Sequence, residues 1–283
     1  MIGHQVESGT AAPAGPQLLP GGGMEAGVFL VDKPEGPTSF RIVQQVRRAL
    51  GIKKVGHAGT LDPFATGLLI ICAGRPATRL ISGLMAGEKE YEAVLRLGVE
   101  TATQDPEGQV IAERPVGTLD RAAVEECLRR FTGEQWQTPP AYSALKHKGK
   151  PLYHYARKGI AVAREPRRIF ISALTCLALE RHTLALRVAC SKGTYIRTLA
   201  ADIGRALGCG AHLTSLRRLR SGPFSVKDAL FGSDLFEPVQ AREVLRRHCL
   251  TVPVVQHKIE VHKSTEAAQA AISEDKERDL HNL

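Results

Sequence analysis

Asp62 stands in the segment Gly56-His-Ala-Gly-Thr-Leu-Asp-Pro63, whose residue types could present a carboxylate to a ligand. Pro63 lacks an N–H and restrains Asp62 to extended geometry, so the carboxylate is not absorbed into a helix face. Gly56, Gly59 and Gly67 surround it and let the backbone turn tightly or approach a ligand closely. The same residues could simply close a turn, which is what most Asp-Pro pairs do. His57, five residues upstream, offers acid–base chemistry, a ring to fill space beside a ligand, or an ordinary turn histidine. A second segment, Ser191-Lys-Gly-Thr-Tyr-Ile-Arg197, contributes Tyr195 and Arg197. A guanidinium can pair with a carboxylate through a planar fork, and a buried one keeps that carboxylate ionised. Tyr91 opens a strand-like pattern after the charged approach Gly87-Glu-Lys-Glu90; taken singly, it suits a core as well as a site.

Other chemistries have no residues to run on. His57 has no partner in an H-x-x-x-H or E-x-x-H spacing and no Cys/His pairing, so no metal is expected. Neither the dinucleotide fingerprint nor the phosphate-loop motif occurs, and no cofactor is expected. The six cysteines are scattered without a C-x-x-C, which fits reduced thiols and a cytoplasmic location better than a disulfide scaffold. No apolar run reaches the ~18 residues of a membrane span.

Charge is unevenly spread. The chain of 283 residues carries a net charge of +9, and the stretch from Lys146 to Arg168 holds eight Lys or Arg against the single acid Glu165. Arg41 to Lys54 adds five more basic residues and no acid. Clusters of this kind are the footprint of a polyanion, although either alone could be a solvated face.

The elements that must carry these residues can be read from apolar spacing. Residues 28–32 form a short apolar strand, followed by the turn Lys33-Pro-Glu-Gly-Pro37; Thr38 or Ser39 then caps a helix bearing Ile42, Val43, Val46 and Leu50. A Gly-punctuated loop from Gly56 to Pro63 leads to an apolar strand at 68–73, and 91–97 is a further strand. Residues 119–131 show the spacing of an amphipathic helix, with Asp120 near its start. Residues 169–179 and 184–190 alternate as an antiparallel pair, and 195–207 is helical, with Gly208 and Gly210 at its end. Beyond Phe224 the pattern weakens to one helix at 238–248, and 258–283 is polar and aperiodic, hence expected to be frayed or disordered. Strands and helices do not alternate regularly, so the sheet is expected to be mixed or antiparallel, with helices packed on it.

Taken together, Lys33-Pro-Glu-Gly-Pro-Thr-Ser39, Gly56-His-Ala-Gly-Thr-Leu-Asp-Pro-Phe-Ala-Thr-Gly-Leu-Leu69, Pro139-Pro-Ala-Tyr-Ser-Ala-Leu-Lys146 and Gly193-Thr-Tyr-Ile-Arg197 stand in a telling order. With Gly208-Cys-Gly-Ala-His-Leu213 and Leu216-Arg-Arg-Leu219, they resemble the bacterial tRNA pseudouridine-55 synthases, the TruB family, over roughly residues 25–230. The resemblance implies a pseudouridine synthase fold, α/β of the α+β type with a mixed, mostly antiparallel sheet flanked by helices and loops, no cofactor, and the uridine at position 55 of the tRNA TΨC loop as substrate. It implies Asp62 as catalytic aspartate, Tyr91 as the tyrosine stacking on the target base, and Tyr195 and Arg197 as the active-site tyrosine and the aspartate's partner. His57 matches the histidine of the nucleotide-flipping loop, and Leu216 an apolar wall of the uracil site. Lys33, Lys146, Lys148 and Lys150 are read as substrate-binding. No protein partner is implied.

The family begins near Met24, so residues 1–23, rich in Gly, Pro and Ala, read as a flexible extension and 24–230 as the catalytic domain. Many members end in an RNA-binding domain of the PUA type. Only about 59 residues follow Phe224 here, and 231–283 is expected to be a short region rather than a complete domain of that kind.

Overall fold

The computed structural model describes residues 25–281, with side chains as far as Ala268; the expected extension 1–23 lies outside the described residues. The elements in chain order begin with β1 (Gly27–Lys33), α1 (Ser39–Leu50), β2 (Val55–Ala58), β3 (Thr66–Ala73), α2 (Arg75–Thr78), α3 (Ile81–Ala86) and β4 (Lys89–Leu97). Then come β5 (Val99–Thr101), β6 (Val110–Glu113), α4 (Arg121–Arg129), β7 (Gly133–Gln137), β8 (Lys146–His147), β9 (Lys150–Pro151) and α5 (Leu152–Ala156). The chain continues through β10 (Arg167–Leu179), β11 (Thr183–Cys190), α6 (Ile196–Ala206), β12 (Ala211–Ser221), β13 (Phe224–Ser225), β14 (Leu230–Phe231), α7 (Pro238–Arg247) and α8 (Val252–His281).

One ten-stranded sheet organises the chain in the order β14-β1-β3-β12-β4-β11-β10-β7, with β2 beside β3 and β13 beside β12. Only β1–β14 and β3–β12 are parallel; the remaining pairs are antiparallel, so the mixed, mostly antiparallel sheet expected from the sequence is the one observed. Period-two alternation puts Phe29 and Val31 of β1, and Leu69 and Ile71 of β3, into a main core with α1, α4 and α6. Their neighbours Val28, Leu30, Leu68, Ile70 and Cys72 fill a second core under α2, α3 and the start of α8. Burial on both faces explains why β3 reads as an unbroken apolar run rather than an alternating one.

The local signals work where the sequence places them. Thr38 caps α1, its hydroxyl accepting from Arg41 N–H at 3.1 Å, and Gly51 ends the helix at φ +68°. Asp120 caps α4, accepting from Ala123 N–H at 2.7 Å.

Four segments differ from the sequence reading. The first half of the Gly56–Pro63 loop is strand: β2 pairs with β3 from Val55↔Ala73 to Ala58↔Ile70, because Val55 and Ala58 are buried there. The eleven-residue β12 escapes an alternation test because register shifts at Leu213/Ser215 and Arg218/Arg220 break its period. Strand β7 carries too few apolar residues to announce itself. Finally, 258–281 is helix rather than disordered, continuing α8. Val255 and Ile259 anchor the start of that helix on the second core, and the Ala-, Glu- and Lys-rich continuation has the intrinsic propensity to propagate it without an apolar face. Residues past Leu230 also complete the main core, which takes in Leu235, Ala241 and Leu245.

Candidate active site

The loop between β2 and β3 carries Asp62, and three side chains pin it. The Ser39 hydroxyl donates to Leu61 C=O at 2.8 Å and accepts from Leu61 N–H at 2.9 Å. Lys33 lies beneath, completely buried, and its ammonium donates to the carbonyls of Pro34, Pro37 and Pro63 at 2.8, 2.8 and 3.0 Å. On the far side Arg218 donates to Gly59 C=O at 2.9 Å and to Leu68 C=O at 2.7 Å. A loop fixed at Gly59, Leu61, Pro63 and Leu68 gives Asp62 a defined place. Burial pushes the Lys33 ammonium down to about 8, with Asp62, Glu35 and Glu107 pulling the other way. The substrate-binding reading of Lys33 therefore needs correction: all three N–H groups are spent on carbonyls under the loop, away from any surface RNA could touch.

Arg197, in the first turn of α6, meets Asp62 with Nε at 2.9 Å from Oδ2. Arg197 is 6% exposed and Asp62 36%, so the carboxylate faces outward from a buried cation. The pairing that the family resemblance implies is present. What the sequence reading lacked is a second acid, Asp105, 5% exposed, whose Oδ2 lies 3.1 Å from Arg197 Nη1. Arg197 Nη1 also donates to Thr103 C=O at 3.1 Å and Nη2 to Tyr142 C=O at 2.7 Å. Asp105 in turn accepts from the Thr103 hydroxyl and from Glu107 N–H at 3.1 Å. Its turn is held by Gln104, whose φ of +64° is unusual for a side-chain-bearing residue and whose carbonyl accepts from Leu213 N–H at 3.1 Å.

The signal that could have found Asp105 is plain in retrospect. The chain has two Asp-Pro pairs, Asp62-Pro63 and Asp105-Pro106, and both converge on Arg197.

Two carboxylates thus share one guanidinium. Burial raises the Asp62 pKa above the ordinary carboxylate value; Arg197 opposes the rise, Asp105 adds to it and Lys33 opposes it. The result is a carboxylate held in place by a buried guanidinium that favours its charged form, which is what a nucleophile or base requires.

Tyr91 lies in β4 and Leu216 in β12, and both join Leu61 in the main core cluster. Asp62 is near enough to Tyr91 for its charge to act on the phenol, whose pKa burial raises and Arg218 draws back down. Tyr195 is fixed at the mouth of α6 through its backbone, its N–H donating to Gln137 Oε1 at 2.8 Å and its C=O accepting from Gln137 Nε2 at 3.1 Å. Burial raises the Tyr195 pKa, against Ser143, Arg197 and Arg167. His57 sits on β2, with its Nδ1 buried and without a hydrogen-bond partner among the described residues. Burial first and then Arg218 lower its pKa, so the ring is neutral at pH 7.

Lys146, Lys148 and Lys150 all project from the β8–β9 hairpin, whose turn residues Lys148 and Gly149 have φ of +46° and +80°. This hairpin follows directly on Tyr142, the residue whose carbonyl holds Arg197. Arg157, Lys158, Arg164, Arg167 and Arg168 continue the exposed basic surface, and Arg168 stacks on the Trp136 ring at 5.3 Å. Among the described residues no group of three or more His, Cys, Asp or Glu could hold a metal ion, and no helix is long and apolar enough to cross a membrane.

A mixed sheet in this order, with the Asp62 loop and the start of α6 meeting beside β4 and β12, defines a pseudouridine synthase fold. The family model for the TruB family pseudouridylate synthase N-terminal domain matches residues 47–196, and that for the tRNA pseudouridylate synthase B C-terminal domain matches 197–252. The chain is 58% identical over 235 residues to the tRNA pseudouridine synthase B of Desulfotalea psychrophila, covering 81% of this chain and 95% of that protein. It is 51% identical over 221 residues to the protein of the same name from Syntrophotalea carbinolica, covering 77% and 72%. Among solved structures, one described as a Cbf5-Nop10-Gar1 complex superposes with a TM-score of 0.62 at 30% identity, over 83% of this chain and 62% of that one. The chain belongs to the TruB family of pseudouridylate synthases.

Proposed function

We propose that this chain isomerises uridine to pseudouridine in tRNA, that its target is position 55 in the TΨC loop, and that Asp62 does the chemistry on a base flipped out of its stack. The observation that carries the reading is the Asp62–Arg197 pair: an outward-facing carboxylate on a buried guanidinium, 2.9 Å away, in a TruB-family chain.

The reaction breaks N1–C1′, turns the uracil and joins C5 to C1′; C5 gives up a proton and N1 ends with one. No electrons leave the substrate and no group comes from a donor. The enzyme must extract the base, hold it after detachment and provide a charged carboxylate. Asp62 serves whether it attacks C1′, attacks C6 or removes a ribose proton, because each route needs it ionised and aimed. Arg197 secures both, and Asp105 secures Arg197.

Tyr91 offers its ring face to the flipped uracil, a contact worth roughly 1–3 kcal/mol, with Leu216 as an apolar wall. Tyr195 closes the site beside Arg197. The neutral His57 ring fills space next to the loop from which the base has left. The exposed basic surface from Lys146 to Arg168 grips phosphates, giving affinity without sequence information, while loop shape and extruded nucleotides give selectivity. On this reading residues 24–230 form the catalytic domain, and 231–283 support it. The five buried cysteines, Cys72, Cys127, Cys176, Cys190 and Cys209, form no disulfide and suit the reducing cytoplasm in which tRNA is modified.

The test is direct. The full chain is incubated with unmodified tRNA transcripts, and pseudouridine is mapped by chemical labelling. A single new pseudouridine at position 55, lost when that uridine is changed to cytidine, is expected. Modification elsewhere would reject the target, and none in any transcript would reject the activity.

A further inference from the structure

The second basic run, Arg41 to Lys54, takes no part in the site described above, and the fold treats it unlike other arginine-bearing helices of the molecule. In α4, Arg121 pairs with Glu125 and Arg129 with Glu126; in α6, Arg205 pairs with Asp202; in α7, Arg247 pairs with Glu243. From residue 39 to residue 54 there is no acid at all. Arg41, Arg48, Lys53 and Lys54 are exposed, and among the described residues none of the four has an ion-pair partner. Like charges gathered on one face without acids repel each other, and a polyanion relieves that repulsion.

The face they occupy adjoins the Asp62 loop. Helix α1 buries Ile42, Val43 and Val46 in the main core and so turns Arg41 and Arg48 outward together. Ser39 at its start holds Leu61, the neighbour of Asp62, while Arg47 in its last turn reaches Val55 C=O at 3.4 Å. The helix therefore lies alongside β2 and the loop in the opposite sense. Arg41 stands toward the Asp62 end, and Lys53 and Lys54 stand where β2 begins, just before His57. Phe40, 56% exposed, adds an aromatic face next to Arg41, and rings among cations are the combination that binds unpaired nucleotides. The β8–β9 hairpin reaches the same carboxylate by a different route, through Tyr142 and Arg197. Two basic surfaces on separate elements thus converge on Asp62.

We infer that the outward face of α1 and the turn at 51–54 form a second RNA site, separate from the hairpin, in which Arg41, Arg48, Lys53 and Lys54 hold phosphates of the same tRNA. The inference rests on the reading of the chain as a tRNA-modifying enzyme and adds a contact which that reading does not contain. A twelve-residue helix is about 18 Å long. That is enough to follow several phosphates at the ~3.4 Å spacing of one strand along a duplex axis. A stem-loop whose target base enters at Asp62 carries its backbone away on both sides of that base. Held by one surface, the loop can swing about the flipped nucleotide; held by two, it presents the base in one orientation. These contacts fix the position of the RNA and add affinity without reading bases.

Binding titrations and hydroxyl-radical footprints on an unmodified tRNA transcript test it. Replacing Arg41, Arg48, Lys53 and Lys54 together by Gln should weaken tRNA binding about tenfold or more. It should also uncover riboses that a variant with Lys148, Lys150 and Lys158 replaced by Ala leaves protected. Changing Arg41 with Arg48, and Lys53 with Lys54, as separate pairs should each give part of the loss, which keeps the test open if the fourfold variant does not fold. Arg75, Lys227, Lys258 and Lys263 are exposed on elements packed against the second core and control for net charge. Replaced together by Gln, they should leave the Kd nearly unchanged, because distant exposed charges are screened. An α1 loss no larger than the control's, or the same riboses uncovered by the α1 and hairpin variants, would overturn the inference. So would unchanged tRNA binding alongside lost binding to phosphatidylglycerol vesicles, which would assign the face to a lipid surface. Failure of the underlying reading looks different: the parent chain then forms no pseudouridine in any transcript, whatever its footprint.

Discussion

Asp105→Asn removes one of the two negative charges that flank Arg197 while nearly preserving shape. Asp105 and Arg197 are both buried and 3.1 Å apart. Breaking one side of such a pair costs about 3–5 kcal/mol. The substituted amide can still accept from Thr103, and Arg197 still has Asp62, so the loss should fall near 3 kcal/mol. In a domain of this size that lowers Tm by about 6–12 °C. The same change acts on the chemistry. Asp105 is one of the charges that raise the Asp62 pKa, so its removal lets that pKa fall and moves the acid limb of the single-turnover pH profile to lower pH. With Arg197 less constrained, the plateau rate should also drop about 10- to 100-fold. Thermal melts and rate profiles on a tRNA transcript measure all three quantities. A variant that melts within 1–2 °C of the parent (about 0.5 kcal/mol or less), with an unmoved or upward-shifted acid limb, would refute the shared-guanidinium account.

Other expectations follow from single contacts. Burial sets the folded Lys33 pKa at about 8 against 10.5 in the unfolded chain, so between those values the unfolded state holds the extra proton and Lys33 adds stability as pH rises. Urea melts should therefore show a Lys33→Met penalty that grows between pH 8 and 10; a constant penalty would contradict it. Gly67→Ala would drive a Cβ into the Arg218 backbone at a positive φ, and should cost about 3 kcal/mol or more; a near-parental melt would mean β3 and β12 can separate there. If the basic hairpin and its continuation make about five phosphate contacts, log K for tRNA should fall with log salt at a slope of about −3.5 to −4.5. Replacing Lys148, Lys150 and Lys158 together by Ala should make that slope shallower, and an unchanged slope would reduce the cluster to a solvated face.

The sequence disclosed the site's chemistry more readily than its support. Asp62 and Arg197 could be paired in advance only through the family resemblance; by residue type alone, Asp62 suits a turn as well as a site, and Arg197 offers a fork to any carboxylate. Elements with one dominant signal, such as α1 with its Thr38 cap or the hairpin of β10 and β11, could be placed within a few residues. Asp105 stayed hidden because its function depends on a turn between two short strands, and only the fold brings that turn to Arg197 across 92 residues. Lys33 was misread for a related reason: a lysine near a site looks like a phosphate ligand until the three carbonyls beneath the loop are seen. Strand β12 was invisible to periodicity because its two bulges erase the period, yet it carries Leu216 and Arg218. Helix α8 shows the opposite case: helix propensity without an apolar face leaves no period to read, so the polar, aperiodic stretch looks disordered in sequence.

Asp62→Asn is the most direct test of the central claim. The variant keeps side-chain volume and leaves Arg197 its bonds to Asp105, Thr103 and Tyr142, so it should fold, as a melt will verify. Its tRNA affinity should stay within a few-fold of the parent, because the basic surface and not this carboxylate supplies the binding. Pseudouridine at position 55, mapped by chemical labelling after single-turnover incubation, should fall below detection. Appreciable pseudouridine formed by the well-folded variant would contradict the account and place the catalytic group elsewhere.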